Sequence, residues 1–454
     1  MTKYCGFEEL LRSFDTEHPE STAFFVPGDQ APLPVSRAAF SAAVRKEADR
    51  LSADGKLRLG VLCDGTYDCV ITILAAVLAG LTTVLLDENA SETLLAEQIR
   101  ETGVDSLWGD EELREELQPF LAKAPETQEN EPGRILFFTS GTTASCKAVV
   151  LTDRSLMAAA YNGSCMLPLS PEDTLLCMLP LNHVFGMVCG LLWGMQCGSA
   201  VAMGRGMRHY VDDPAFYRPT VLSAVPLLLD FLLRHAPLGE ELRLILVGAG
   251  DCPKELLEAA AARGIRISFG YGLTETSSGV AISVSGDPYA LEVCPEDEVT
   301  LAPDGEILVR SPACMMLGYY NRPEETDEVL REGTLFTGDL GRWDEDGKLH
   351  IIGRKKEILV LKDGTKIFLP EYEARIMRVL PGRDFAVLER DGKPVLLLHG
   401  KEEERAELQD KLREVMSELP RGQQISGFTF RDSPLPRTAT GKIQRWELTG
   451  KQPQ

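Results

Sequence analysis

Positive charge is scarce in this chain: 47 Lys and Arg stand against 69 Asp and Glu, a formal net charge of −22. Nucleic-acid backbones and anionic lipid surfaces are held mainly by Lys and Arg, so the shortage argues against both as partners. The acidity reports solubility instead. Paired cysteines are also missing. The 11 cysteines include no Cys-x-x-Cys pair, and none lies beyond Cys314. Neither a zinc ribbon nor a disulfide framework is indicated, and a reducing cytoplasm is the expected setting. The N-terminus carries Glu8 and Glu9 and lacks the basic and then apolar regions of a signal peptide. Internal repeats and low-complexity segments are absent as well.

Two uncharged runs, residues 69–86 and 187–204, raise the question of membrane spans. Gly80 divides the first into an Ala/Leu/Ile helix and a Thr-Thr-Val-Leu-Leu strand. The second contains Gly190, Gly194, Gly198 and the polar Gln196. Both read as buried helix-then-strand units, and no integral membrane segment is expected. At 454 residues, with 44% apolar and 26% charged positions, the chain is an ordinary globular protein too long for one core.

From Leu59 to about Gly270 strand and helix patterns alternate, which implies largely parallel sheets covered by helices. Residues 110–132 read as a helix and a surface linker. After Gly286 the texture changes. Asp304-Gly305, Asp346-Gly347, Asp363-Gly364 and Asp391-Gly392 each sit between short apolar runs, a hairpin signature. This part is expected to be more antiparallel. Residues 401–419 read as a charged amphipathic helix with a solvated face.

The most informative stretch is Thr139, Ser140, Gly141, Thr142 and Thr143, closing on Lys147, directly after the apolar run Ile135-Leu-Phe-Phe138. A loop presenting hydroxyls, backbone N–H groups and a cation together suits a polyphosphate; it is also compatible with an ordinary turn. It is not a Walker A loop, since no Gly precedes Lys147 and Ala148 follows it. Further signals follow in order: Pro180-Leu-Asn-His-Val-Phe-Gly186, Tyr271-Gly-Leu-Thr-Glu275, Thr337-Gly-Asp339, Gly353-Arg-Lys-Lys-Glu357 and Pro436-Arg-Thr-Ala-Thr-Gly-Lys442. Together they resemble the adenylate-forming superfamily of acyl-CoA synthetases, carrier-protein-loading adenylation domains and luciferases, and the resemblance covers nearly the whole chain.

The resemblance implies an α/β fold: a large N-terminal domain of βα-layered sheets with a β-barrel-like part, residues 1–353, and a small mobile α+β domain, residues 354–454, hinged at Lys356. It also implies ATP with Mg²⁺ as the activating pair and CoA as acceptor. Two anions, ATP and a carboxylate, must be held face to face, which requires cations and dipoles at the α-phosphorus. Lys442 is implied as the catalytic lysine carried in by the small domain. Glu275 is implied as the Mg²⁺ ligand and Thr274 as an α-phosphate contact, although Thr-Glu also suits a helix start. Tyr271 and Gly272 would line the adenine site opposite the loop of Gly248, Ala249 and Gly250, where small residues let a flat base approach the backbone; a buried structural Tyr is the alternative. Asp339 would accept from both ribose hydroxyls, backed by Arg354, unless the two form a plain surface ion pair. His183 is placed with Gly272 at the acyl site, with a core histidine as the rival.

The loop departs from the family pattern: Ala144, Cys146 and Ala148 stand where relatives usually show Gly, Pro and Gly. Gly250 replaces a usual proline. The Pro180–Gly186 and Gly353–Glu357 motifs look most like long-chain fatty-acid–CoA ligases, so a fatty acid is the expected substrate. An adenylating enzyme serving a separate acyl or peptidyl carrier protein, and a catalytically weak acyl- or nucleotide-binding protein, remain alternatives.

Overall fold

The computed structural model describes residues 2–122, 133–139, 147–250, 252–362, 365–437, 443 and 445–449. Two large sheets carry the first part of the chain. One has nine strands in the order Glu292–Val293, Ser278–Ile282, Arg266–Leu273, Leu244–Val247, Val221–Ala224, Thr174–Cys177, Ala200–Met203, Thr22–Val26, Leu33–Ser36. The other has six: Gly318–Tyr319, Ala148–Thr152, Arg134–Phe138, Thr82–Asp87, Arg58–Cys63, Ser106–Trp108. Central neighbours run parallel, and antiparallel pairs are confined to the edges. The expectation of largely parallel sheets holds.

Side-chain alternation explains the layering. Val61 and Phe137 point into a core shared with the helices Tyr67–Leu78 and Asp153–Met166, while their neighbours Leu62 and Leu136 point to a second core on the outer face. Such strands are apolar on both sides, as buried parallel strands must be. The helix Tyr67–Leu78 starts where the Thr66 hydroxyl accepts from the Cys69 N–H at 3.2 Å and ends before Gly80 at φ +76°. Both uncharged runs are helix-then-strand units, the second beginning as a π-helical turn, Phe185–Leu192. Among the described residues no helix is long and apolar enough to cross a membrane.

The Asp-Gly pairs mark hairpins as expected. Glu298–Leu301 pairs with Glu306–Arg310, Thr334–Trp343 with Leu349–Arg354, and Phe385–Arg390 with Lys393–His399. Asp363 and Gly364 lie outside the described residues, between the paired strands Ile358–Val360 and Lys366–Phe368. Asp391 and Gly392 both have positive φ, +55° and +81°, the conformation of a two-residue hairpin turn. The first two hairpins belong to a five-stranded antiparallel sheet where the barrel-like part was expected.

Beyond Val360 a separate apolar cluster, with buried members from Leu361 to Leu419, joins a three-stranded sheet to the helices Leu369–Val379 and Arg405–Ser417. In the latter helix Leu408 and Leu412 are buried, and ion pairs such as Lys411–Glu407 decorate its outer face.

Candidate active site

Two clusters of polar side chains form around the segment Tyr271–Glu275. The first is at Tyr271, on the long strand Arg266–Leu273. Its hydroxyl donates to Asp339 Oδ2 at 2.9 Å, and Arg354 Nε meets Asp339 Oδ1 at 3.0 Å. Asp339 and Arg354 are cross-strand partners in the hairpin Thr334–Trp343/Leu349–Arg354, so the register itself fixes the pair. Asp339 is 5% exposed. Burial raises its carboxyl above the usual range, although the Arg354 charge and the Tyr271 bond oppose the rise. Burial, reinforced by the Asp339 charge, also pushes the Tyr271 phenol well up. A plain surface ion pair is thereby excluded for Asp339, and Tyr271 is both buried and part of the cluster.

Gly272 sits at a bulge in the pairing with Ser278–Ile282. A Cβ there would lie 1.7 Å from the Ser278 carbonyl oxygen, so only glycine fits. In the neighbouring loop Ala249 takes φ +61°, a conformation that costs a non-glycine residue about 1–2 kcal/mol. A Cβ on Gly248 would press on the Phe185 ring at 3.0 Å, while Gly250 has only Pro226 nearby, at 3.7 Å. The loop thus offers bare backbone, as a flat base requires.

The second cluster lies at Glu275. Thr274–Thr276 is a single 3-10 turn, too short for the helix start that Thr-Glu could have marked. Tyr319 donates its hydroxyl to Glu275 Oε1 at 2.7 Å. The ring of Tyr319 carries Lys147 Nζ over its face, 4.6 Å from the centroid, and Lys147 pairs with Glu325 at 2.6 Å. Partial burial pushes the Glu325 carboxyl up, but the Lys147 bond and charge, with Arg322, bring it below its usual range. Tyr319 and Glu325 were not singled out from the sequence, because the two-residue strand Gly318–Tyr319 is too short to show a period. Its pairing with Ala148–Thr152 brings Tyr319 beside Lys147.

The loop itself spans a hairpin mouth closed by the Thr139 N–H donating to the Lys147 carbonyl at 3.0 Å. Ser140, Gly141, Thr142 and Thr143 lie outside the described residues, as do Ala144, Cys146 and Lys442. Ala148 is a buried strand residue opposite Phe138 and has no positive φ, so its departure from glycine is accommodated.

His183 precedes the π-helical turn. Gly186 makes that turn possible, since a Cβ there would lie 2.1 Å from the Pro180 carbonyl oxygen. His183 is exposed, which excludes a core histidine. The surrounding protein lowers its pKa, partly offset by the Asp87 charge, so it is neutral at pH 7. Beside it the Asn182 amide oxygen is buried and finds no donor among the described residues.

Residues 14–320 match the AMP-binding enzyme family. The chain belongs to that family. A 2-succinylbenzoate–CoA ligase of Bacillus mycoides (strain KBAB4) is 30% identical over 358 residues, 71% of this chain and 72% of that protein. The O-succinylbenzoate coenzyme A synthetase of Bacillus subtilis, solved with ATP and a magnesium ion, is 25% identical with a TM-score of 0.78, covering 97% of this chain and 99% of that one. A fatty acyl CoA synthetase of Mycobacterium tuberculosis shares the fold at 23% identity and a TM-score of 0.71, over 98% of both chains. The enzyme is an AMP-forming acid–thiol ligase, and its two-domain fold is that of the adenylate-forming superfamily.

Proposed function

We propose that this enzyme joins a compact, largely apolar carboxylic acid to CoA by way of an acyl-adenylate. The acid's carboxylate attacks the α-phosphorus of ATP and pyrophosphate leaves with the electron pair of the broken P–O bond. The CoA sulfur, as thiolate, then attacks the acyl carbon, and AMP departs with its phosphate oxygen. Tyr271, Gly272 and the Gly248–Gly250 loop hold the base, and Asp339 with Arg354 holds the ribose. Thr139–Thr143, Lys147 and Thr274 would serve the phosphates, Glu275 would hold Mg²⁺, and Lys442 would serve the carboxylate and the α-phosphate.

The donor set fits magnesium, which keeps several waters and takes one or two carboxylates plus substrate phosphates. When bound, it neutralises charge developing on the pyrophosphate oxygens. No second carboxylate is needed beside Glu275.

The observation that carries the substrate reading is an apolar cavity of about 20 Å³, lined among others by Gly163, Leu167, Val188, Cys189, Trp193 and Gly279. Gly279 is the cross-strand partner of Gly272, which puts the cavity next to the bulge where the acid is to react. Trp193 is 4% exposed, and its indole N–H donates to the Leu167 carbonyl at 2.9 Å, so the ring is fixed as the floor. Its wholly apolar lining suits the hydrocarbon part of an acid, and an aryl ring or a short chain would enter only as Trp193 and its neighbours give way. The names of the relatives, 2-succinylbenzoate–CoA ligases, favour a smaller acid over the long-chain fatty acid expected from the motifs. 2-Succinylbenzoate carries a second carboxylate, however, and none of the lining residues is cationic. Aryl and short acyl monocarboxylic acids are the better match.

We also place the hinge at Lys356. Arg354 pairs with Asp339, and Lys355 is tied to Asp304 at 2.6 Å and Glu306 at 2.9 Å in the preceding hairpin sheet, while the separate apolar core begins only at Leu361; these contacts favour Lys356 as the point of division over the 353/354 bond. The test of the whole reading is acid-dependent pyrophosphate release over aryl, 2-succinyl-aryl, short and long fatty acids, with CoA or a carrier protein as acceptor. Preference for a chain of twelve or more carbons, or for the carrier protein, would overturn it.

A further inference from the structure

Glu275 and Lys147, the two oppositely charged groups expected at the triphosphate, meet two parts of one side chain, the hydroxyl and the ring face of Tyr319. A direct pair between this carboxylate and this ammonium would withdraw each from its ligand, and in the structure each is engaged by Tyr319 instead. Its hydroxyl donates to Glu275 Oε1 at 2.7 Å, and its ring face receives Lys147 Nζ at 4.6 Å from the centroid. The lysine finds its counter-charge at Glu325, 2.6 Å away.

Tyr319 is itself held firmly. Its residue is 9% exposed, its N–H donates to Thr326 Oγ1 at 2.9 Å, and the strand pairing continues through the Tyr320 N–H to the Ala148 carbonyl at 2.8 Å. Glu325 is fixed in turn by Arg322, which also binds Glu101.

We propose that Tyr319 is a positioning residue that presets both ends of the triphosphate site, orienting Glu275 for Mg²⁺ with its hydroxyl and keeping Lys147 from closing on Glu275 with its ring. This rests on the reading of Glu275 as the metal ligand. The hydroxyl occupies one carboxylate oxygen and leaves the other to face the metal. The ring stabilises the ammonium without neutralising it, because a cation over a π-face keeps its charge. Lys147 then passes from Glu325 to phosphate without first breaking a pair with the metal ligand.

The test compares Tyr319→Phe, Tyr319→Leu and Glu275→Gln by calorimetric binding of ATP with Mg²⁺ and with EDTA, and by electron paramagnetic resonance of Mn²⁺ in the presence of ATP. Melting curves confirm that each variant is folded. Loss of one hydrogen bond to a charged group predicts Mg·ATP binding about 10- to 150-fold weaker in Tyr319→Phe, with binding in EDTA unchanged because the ring remains. Tyr319→Leu should lose affinity in EDTA as well, since Lys147 is no longer held apart. Wild-type Mg·ATP binding by Tyr319→Phe, with weakened binding by Glu275→Gln, would overturn the inference and leave the site reading intact. Wild-type binding of Mn²⁺ and Mg·ATP by Glu275→Gln would overturn both.

Discussion

Replacing Asp339 with Asn should weaken ATP binding while leaving the fold as stable as before, or more so. In the folded protein each Asp339 oxygen already has one partner, Tyr271 or Arg354, and the residue is 5% exposed. Its second lone pairs are what a pair of ribose hydroxyls would use. An amide retains one acceptor oxygen and no charge. Exchanging two charge-assisted bonds for one neutral bond costs about 2–3 kcal/mol, or a dissociation constant for ATP raised about 30- to 150-fold. Because those bonds exist before and during the reaction, KM should rise far more than kcat falls.

Stability should move the other way. Burial holds the Asp339 carboxyl above its ordinary value despite Arg354 and Tyr271. A raised carboxyl contributes stability only below its unfolded value of about 3.9, and that contribution is lost as pH rises through the folded value. At pH 7 the full penalty applies, and Asn escapes it. Arg354, 58% exposed at its side chain, can turn to water. Calorimetric titration with ATP and a melting curve at pH 7 and pH 4 check both halves. A melting temperature lowered by more than about 4 °C, roughly 1–2 kcal/mol for a domain of this size, would refute the argument that burial outweighs the ion pair. Unchanged ATP affinity would show that the ribose lies elsewhere.

Asp297, held between Asn162 and Ser311 and pushed by burial up to about 6, follows the same sign. Stability should fall between about pH 4 and pH 6 by up to about 3 kcal/mol, and Asp297→Asn should flatten that slope in denaturant titrations. Trp193→Leu should raise kcat/KM for acids a few carbons longer by about 10-fold or more, at 1–3 kcal/mol per methylene accommodated; an unaltered chain-length profile would remove Trp193 from the acyl pocket. Lys442→Ala should cut single-turnover adenylation about 10²- to 10³-fold and leave ATP affinity within a few-fold. Lys356→Pro fixes φ near −65°; pyrophosphate exchange should survive while thioester formation falls by orders of magnitude, and undiminished thioester formation in a folded variant would move the hinge.

Much of this protein was legible in the sequence because its signals are local. Periodicity and turn chemistry act over a few residues, so the buried strands, the Asp-Gly hairpins and the helix-then-strand reading of both uncharged runs could be taken from the chain as it stands. Motif order carried the family assignment, and the pairing of Asp339 with Arg354 followed because both lie in one hairpin. What depends on segments far apart in the chain was decided only by the tertiary structure. Tyr319 reaches Glu275, 44 residues earlier in the chain, through a two-residue strand whose pairing no short-range pattern encodes. Likewise the cavity size was set by Leu167, Trp193 and Gly279 converging from three separate segments. A motif names candidate groups; the apolar cavity, and the meeting of Glu275 and Lys147 with one tyrosine, are properties of packing.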